Sequence, residues 1–391
     1  MKVTVQSEAL AAAIKPTVRI ASRRPILPVF GCVHLNAHKS RNILTLTATD
    51  GDQRLTVEIP AQIHKSGEVC VNADMLNTLA ARAEGEIMLE LQEKIIDALN
   101  NKTALHVQTS AFKTKLNIVP ASEFPDNSPS ESFQTLEIEN PEQMHNSLNA
   151  VRFAAHTDQA SQYLFCSVTL RLAKGSAQLI ATDRKRGAVA TVPLDYTGEP
   201  TTAIIPTTAA ATIGGLLESA ETATIELHGK ATDPTAITVA AGNITYSTKL
   251  IGGIYPDIAQ AIPSDLSAIK TAIALETTDL KKAFTLCQPF ANQDGRVDVS
   301  PQGHLVNLSA ISPDTGEITT TAEADIAGDF QPFALNVAFI LQAIIADGQQ
   351  QICIHQNDRK IPQQVGEPLT PHSYHFHGRN AVHSIMPLSS N

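Results

Sequence analysis

The sequence predicts an α+β protein made of three copies of one unit, each with two helices and several antiparallel strands. Three observations predict it. The motifs Phe124-Pro125-Asp126, Tyr255-Pro256-Asp257 and Met386-Pro387-Leu388 place their prolines 131 residues apart, twice over, so three periods nearly fill the 391 residues. The tripeptide Ala-Thr-Asp stands at 48–50 and again at 181–183, 133 residues on. Stretches such as Leu44-Thr-Leu-Thr-Ala and Ala236-Ile-Thr-Val-Ala alternate apolar and polar residues, the period of a half-buried strand. Self-similarity at a fixed period marks repeated structural units in one chain.

Each third opens on a short alternating strand running into a helix. These are Val3 and Val5 before Leu10, Leu136 and Ile138 before Met144, and Ile273 and Leu275 before Leu280. In the first helix Lys15, Arg19 and Arg23 follow at i, i+4 and i+8, which puts them on one face, and Pro16 is expected to kink it. A strand then crosses into a polar turn over 44–50, 178–183 and 305–312. Asp50 and Asp183 recur at equivalent turns, where a carboxylate accepting backbone N–H bonds is a simpler reading than paired catalytic acids. Second helices are expected over 73–83, 207–218 and 337–346. Asn72, Pro206 and Asn336 stand at their entrances, where an amide cap or a first-turn proline is favoured. The polar segments 126–134 and 256–266 read as linkers, which sets the domains at 1–126, 135–257 and 268–391.

Charge and motifs narrow the function. With 29 basic and 39 acidic residues the formal net charge is −10, which excludes a uniformly basic nucleic-acid coat. The balance is uneven: +1 over 1–126, −5 over 127–263 and −6 over 264–391. The cations Lys15, Arg19, Arg23 and Arg24, then Arg152, then Lys281 and Lys282, gather on the first helix of each third or at its exit. An acidic body with basic helices suits loose phosphate contacts to duplex DNA. No apolar run approaches the ~18 residues of a membrane span, and the N-terminus lacks the apolar core of a secretory signal. Five scattered cysteines without a CxxC pair suit the reduced thiols of a cytosolic protein. There is no P-loop, GxGxxG, HExxH or GxSxG, so neither an enzyme nor a cofactor is expected. His372, His375, His377 and His383 are the best metal candidates. Without a nearby cysteine or carboxylate they read instead as an exposed strand pair. Strand-rich units in a row also leave a sheet edge at each end, which a second copy can close head to tail.

Longer motifs then add a resemblance. The opening MKVTVQSEAL, the run 24–31 (RPILPVFG), the Ala-Thr-Asp turns, the run 118–126 (IVPASEFPD), Ser247-Thr248-Lys249-Leu250, Tyr255-Pro256-Asp257 and Met386-Pro387 resemble, end to end and in order, the bacterial sliding-clamp family, the beta subunits of DNA polymerase III. The resemblance implies three clamp domains per chain and a homodimeric ring around double-stranded DNA. It also implies a cytoplasmic, nucleoid-associated processivity factor without catalysis. Implied partners are the DNA polymerase III alpha subunit, the clamp loader complex, repair polymerases and other clamp-motif proteins. A peptide-binding pocket is implied at Leu164, Thr182, Arg186, Pro256, Ala261, Ile385, Met386, Pro387 and Leu388, with Asn336 and Phe339 nearby. Leu116, Pro289 and Phe290 fall at the implied dimer interface. The departures are local: Arg184-Lys185-Arg186-Gly187 replaces the family's Gly-His-Arg-Leu, Ala261 a valine, Thr207-Thr208 a basic pair and Thr114 an aromatic. A clamp-fold paralogue acting mainly as a peptide scaffold, with a weak DNA role, is the alternative.

Overall fold

The computed structural model describes residues 1–97, 100–126, 128–158, 162–260, 262, 271–328, 330, 332–347, 351–356, 360–361, 370–371, 373–388. Six α-helices lie among them: α1 (Ser7–Ile20), α2 (Ala73–Ala80), α3 (Pro141–Arg152), α4 (Thr207–Leu217), α5 (Thr277–Cys287) and α6 (Val337–Asp347). Each predicted strand-to-helix opening is present, with strands Lys2–Gln6, Ser132–Ile138 and Ala272–Glu276 leading to α1, α3 and α5. The chain divides into two compact units. One comprises 1–139, 220–230 and 234–250; the other comprises 140–219, 231–233 and 251–391.

The first unit is built on a 13-stranded sheet flanked by α1 and α2. Leu10, Ala13, Ile14 and Thr17 recur at i, i+3, i+4 and i+7, so one stripe of α1 is buried while Lys15 and Arg19 stay exposed. The helix continues through Pro16, and one expectation changes: it ends at Ile20, so Arg23 lies beyond it instead of sharing its face. The Ala21 N–H still donates to the Thr17 carbonyl, and an extended backbone follows at Ala21. The strand Ser132–Ile138 also begins inside the expected 126–134 linker. It is the terminal strand of the sheet, paired on one side with Ala223–Lys230, and an edge position accommodates its polar Ser, Gln and Thr residues.

Sheet pairing runs across the sequence repeats. The strand Ile244–Lys249, from the second third, pairs antiparallel with Gln53–Pro60, from the first, in the register Ile244↔Val57 to Thr248↔Gln53. The Tyr246 hydroxyl donates to Gln53 Oε1 at 2.5 Å across this seam, and Lys249 Nζ reaches Asp52 Oδ1 at 2.8 Å. In the second unit Arg186–Pro193 pairs with Val382–Ile385, from the last third, joining two expected domains in one nine-stranded sheet.

The second unit holds that sheet, a four-stranded sheet and helices α3 to α6. Its core gathers Phe284, Phe376, Leu335 and Ile340, all fully buried, and Tyr374 stacks on Phe333 with ring centroids 3.9 Å apart. Burial of such apolar surface, at about 25 cal/mol per Å², is the main favourable contribution. Pro206 ends the strand Thr201–Pro206 and stands one residue before α4, at its N-cap. His375 and His383 are buried, which corrects the exposed strand pair expected for them; they sit on the paired strands Tyr374–His377 and Val382–Ile385 inside the sheet. His372 lies outside the described residues. No group of three or more potential metal-ligating side chains occurs among the described residues. Nor, among them, is any helix long and apolar enough to cross a membrane.

Cys70 illustrates how burial silences the thiols. It lies in the strand Gly67–Asn72, wholly buried, and desolvation, aided by the neighbouring Cys32, pushes its thiol up to about 12. At pH 8 roughly one thiol in ten thousand is then ionised, against about a quarter for a free cysteine. Iodoacetamide is therefore expected to modify Cys70 only after unfolding, as read by peptide mass; native labelling at the free-thiol rate would contradict this burial.

Candidate functional site

One turn is built twice. After the strand Ile43–Thr49, Asp50 Oδ1 accepts the N–H groups of Asp52 and Gln53 at 2.9 and 2.8 Å. After Ser176–Thr182, Asp183 Oδ1 accepts those of Lys185 and Arg186, both at 2.9 Å. Gly51 and Arg184 hold the same place in the two turns, and both have left-handed backbones, at φ +102° and +75°. That conformation is free for glycine but strained for arginine. The strained copy borders a cavity.

This cavity is an apolar trough of about 310 Å³. Its walls include Phe165, Thr182, Gly187, Pro256, Ile258, Ile262 and Met386, with Arg184, Lys185 and Arg186 as the charged residues of its lining. Tyr255 fixes the wall that carries Pro256: its hydroxyl accepts the Thr182 N–H at 2.9 Å, and its ring packs with Ile180 and Ile204. Burial raises the Tyr255 phenol far above its usual range, so the hydroxyl stays protonated. Asp257 is anchored by Arg171, at 2.9 Å, whose guanidinium holds the carboxyl below its usual range.

Arg186 forms the base of the turn. Its side chain is 8% exposed, with Nε donating to Asp183 Oδ2 at 3.0 Å and Nη1 to Gln342 of α6. The guanidinium lies 4.3 Å over the Phe339 ring and 5.3 Å over that of Phe153. Burial lowers its pKa, and Asp183 opposes that shift. Because the cation is satisfied inside the protein, Arg184 and Lys185 are the charges left to meet a ligand.

Of the expected pocket residues, Thr182, Arg186, Pro256 and Met386 line the trough. Leu164 packs beside it in the Tyr255 cluster. Ile385 is buried opposite Arg186 in the sheet, and Phe339 touches Arg186. Asn336 caps α6 by accepting the N–H groups of Ala338 and Phe339 at 3.0 and 3.1 Å. Pro387 and Leu388 are half-buried, and the Leu388 N–H donates to the Ala334 carbonyl at 2.9 Å. Ala261 lies outside the described residues. Sequence reasoning missed Phe165, Ile258, Ile262, Ser373 and Ser384; the i, i+4 spacing of Ile258 and Ile262 after the Pro256 turn was the available signal. The cations expected to face DNA are exposed at Lys15, Arg19, Arg23, Arg24, Lys281 and Lys282, whereas Arg152 is half-buried.

Two family models match the chain: the N-terminal domain of the DNA polymerase III beta subunit over residues 1–128, and its central domain over 138–257. The matches span well over half of the chain. The chain belongs to the DNA polymerase III beta subunit family. Relatives of this beta-subunit family agree along the whole length. The beta sliding clamp of Caulobacter vibrioides is 24% identical, over 95% of this chain and 97% of that protein. That of Synechocystis sp. is 22% identical, over 93% and 94%. In fold, the chain is similar to the sliding clamp of Pseudomonas aeruginosa bound to griselimycin, with a TM-score of 0.86, 19% identity and full coverage of both chains.

Proposed function

We propose that two copies of this chain close a ring around duplex DNA and tether DNA polymerase III, the clamp loader and repair polymerases through the trough beside Met386. Family membership and full-length relatives named beta sliding clamp make the chain a DNA sliding clamp, a processivity subunit without catalysis of its own. The observation that carries the tethering is the trough itself: an apolar wall for one anchor side chain, with Arg184 and Lys185 beside it and no acidic residue among the described residues of its lining. Such a site fits a linear peptide with an apolar anchor and acidic flanks.

Ring closure rests on edges. The strand Gly316–Glu323 ends the four-stranded sheet, and residues 113–117 of Lys113–Val119 pair on one side only among the described residues. Leu116 lies on the second edge, and Pro289 and Phe290 precede the sheet that carries the first. Lys15, Arg19, Arg23, Arg24, Arg152, Lys281 and Lys282 are assigned to phosphate contact. Light scattering is expected to give a mass near twice 41.8 kDa; a monomer at micromolar concentration would remove the ring. The absent basic pair at Thr207 and Thr208, at the start of α4, favours a second reading, a peptide scaffold with a weak DNA role.

Removing 386–391 tests the trough. Met386 is 43% exposed and lines it, and its N–H donates to the Lys185 carbonyl at 3.0 Å. Truncation removes this bond and that of Leu388, worth about 1 kcal/mol each, so Tm is expected to fall by only a few degrees. Binding of a Gln-x-x-Leu-Phe peptide with acidic flanks is expected to be lost. Unchanged affinity would place the site elsewhere.

A further inference from the structure

We infer that Gly187 and Ile258 together make one wall of the trough, and that this pairing selects which apolar anchor a bound peptide can use. The inference rests on reading the trough as a peptide site.

Gly187 sits inside the strand Arg186–Pro193, and its backbone is not in the left-handed region, so conformation does not demand a glycine there. A glycine inside a strand weakens it, and one explanation is the close approach of another group. That group is present. A Cβ built on Gly187 would lie 2.7 Å from Ile258 Cδ1, while the next atoms, the Ala181 carbonyl oxygen and Thr182 Cβ, are at 3.7 and 3.8 Å. The space any side chain at 187 would enter is therefore filled by one methyl group, and by little else.

Ile258 is held where it is. It opens the single turn Ile258–Gln260, its N–H donates to the Pro256 carbonyl at 3.0 Å, and the next-door Asp257 is fixed by Arg171 and by Gln260. It packs against the cluster of Ile180, Ile204 and Tyr255. Branching at Cβ stiffens χ1, so the methyl at the far end is the part of the wall able to move. Both residues line the trough. The wall is thus delivered by the turn after Pro256, and the strand supplies the vacancy that receives it.

Size at this wall then governs the anchor. With Ile258 in place, a branched aliphatic anchor such as leucine packs against a filled surface. Without it, the hole costs a leucine its contacts, whereas a planar ring can enter the freed space. One methylene more or less in an apolar pocket alters discrimination by about 10-fold to 200-fold.

The test is a double-mutant cycle on the full chain, using Gly187→Ala and Ile258→Ala and a short acidic peptide with a leucine anchor, alongside its phenylalanine analogue. Ile258→Ala is expected to weaken the leucine peptide by about 10-fold and the phenylalanine peptide by under about 3-fold. Gly187→Ala adds only a Cβ and is expected to displace the methyl, weakening the leucine peptide about 3-fold to 10-fold. In the Ile258→Ala background the same change is expected to have no effect, the non-additivity that marks a shared space. Matched Tm values establish that the variants are folded. Additive effects, or equal losses for both peptides, overturn the shared wall while leaving the peptide site intact. Failure of the unsubstituted protein to bind either peptide overturns the site and the wall together.

Discussion

Loaded by a clamp loader onto a nicked circular duplex, the protein is expected to stay bound in moderate salt and to leave once the circle is cut. Linkage explains why. A net charge of −10 repels DNA overall, and the cations assigned to contact it number seven. A surface binder making 6–10 phosphate contacts would lose about 10³-fold to 10⁵-fold in affinity between 50 and 200 mM salt. A closed ring must either open or slide off an end, and neither step depends on phosphate contacts in that way. Gel filtration of labelled protein on circular and linearised DNA reads the difference directly. Equal retention on both forms would mean ordinary surface binding, and loss from both at moderate salt would favour the peptide scaffold.

Substituting Arg186 by alanine is expected to be the most damaging single change in the second unit. The guanidinium satisfies Asp183, whose side chain is 10% exposed, bonds Gln342 and fills the gap between Phe153 and Phe339. Removing it leaves a buried carboxylate whose remaining partners among the described residues are the backbone N–H groups of its own turn. Breaking a buried pair from one side costs about 3–5 kcal/mol, which corresponds to a fall in Tm of about 10 °C. Arg186→Lys keeps the charge but loses the planar fork and its stacking, so less than half of the loss should be recovered. Scanning calorimetry decides it. An unchanged Tm for the alanine variant would show that the network contributes nothing.

The local parts of this molecule were legible because they obey short-range rules. The Asp50 and Asp183 turns depend on atoms within three residues, and they form as the repeated tripeptide implies. The caps at Asn72 and Asn336 follow from the same logic, the Asn72 side chain accepting the Met75 N–H at 2.9 Å. The α1 stripe follows from helical period. What escaped was set by distant pairing. No local pattern reveals that Tyr246 donates to Gln53, 193 residues away, or that the strand after Arg186 takes Val382–Ile385 as its neighbour. The histidines near the C-terminus looked exposed because a polar residue on a terminal strand usually is; the sheet built on both sides of them buried them instead. Arg23 kept its helical spacing in the sequence but lost its helix at Ile20, where the extended backbone at Ala21 ends it. In the trough, Gly187 was visible as a missing side chain, whereas the methyl group occupying its place comes from a residue 71 positions later.

The seams at Gln53–Pro60 and Arg186–Pro193 bear on how the chain can be cut or evolve. A unit duplicated in tandem is commonly pictured as a bead that folds by itself. Here each internal boundary is crossed by backbone hydrogen bonds, so the gene's period and the molecule's cooperative period differ. A fragment ending near residue 126 would carry every residue of the first repeat yet leave the edge of residues 53–57 open to any passing strand, an invitation to aggregate. Proteolysis between repeats should accordingly yield pieces that remain associated, and recombination that shuffles single repeats between homologues would be penalised at the seam before it is penalised in any core.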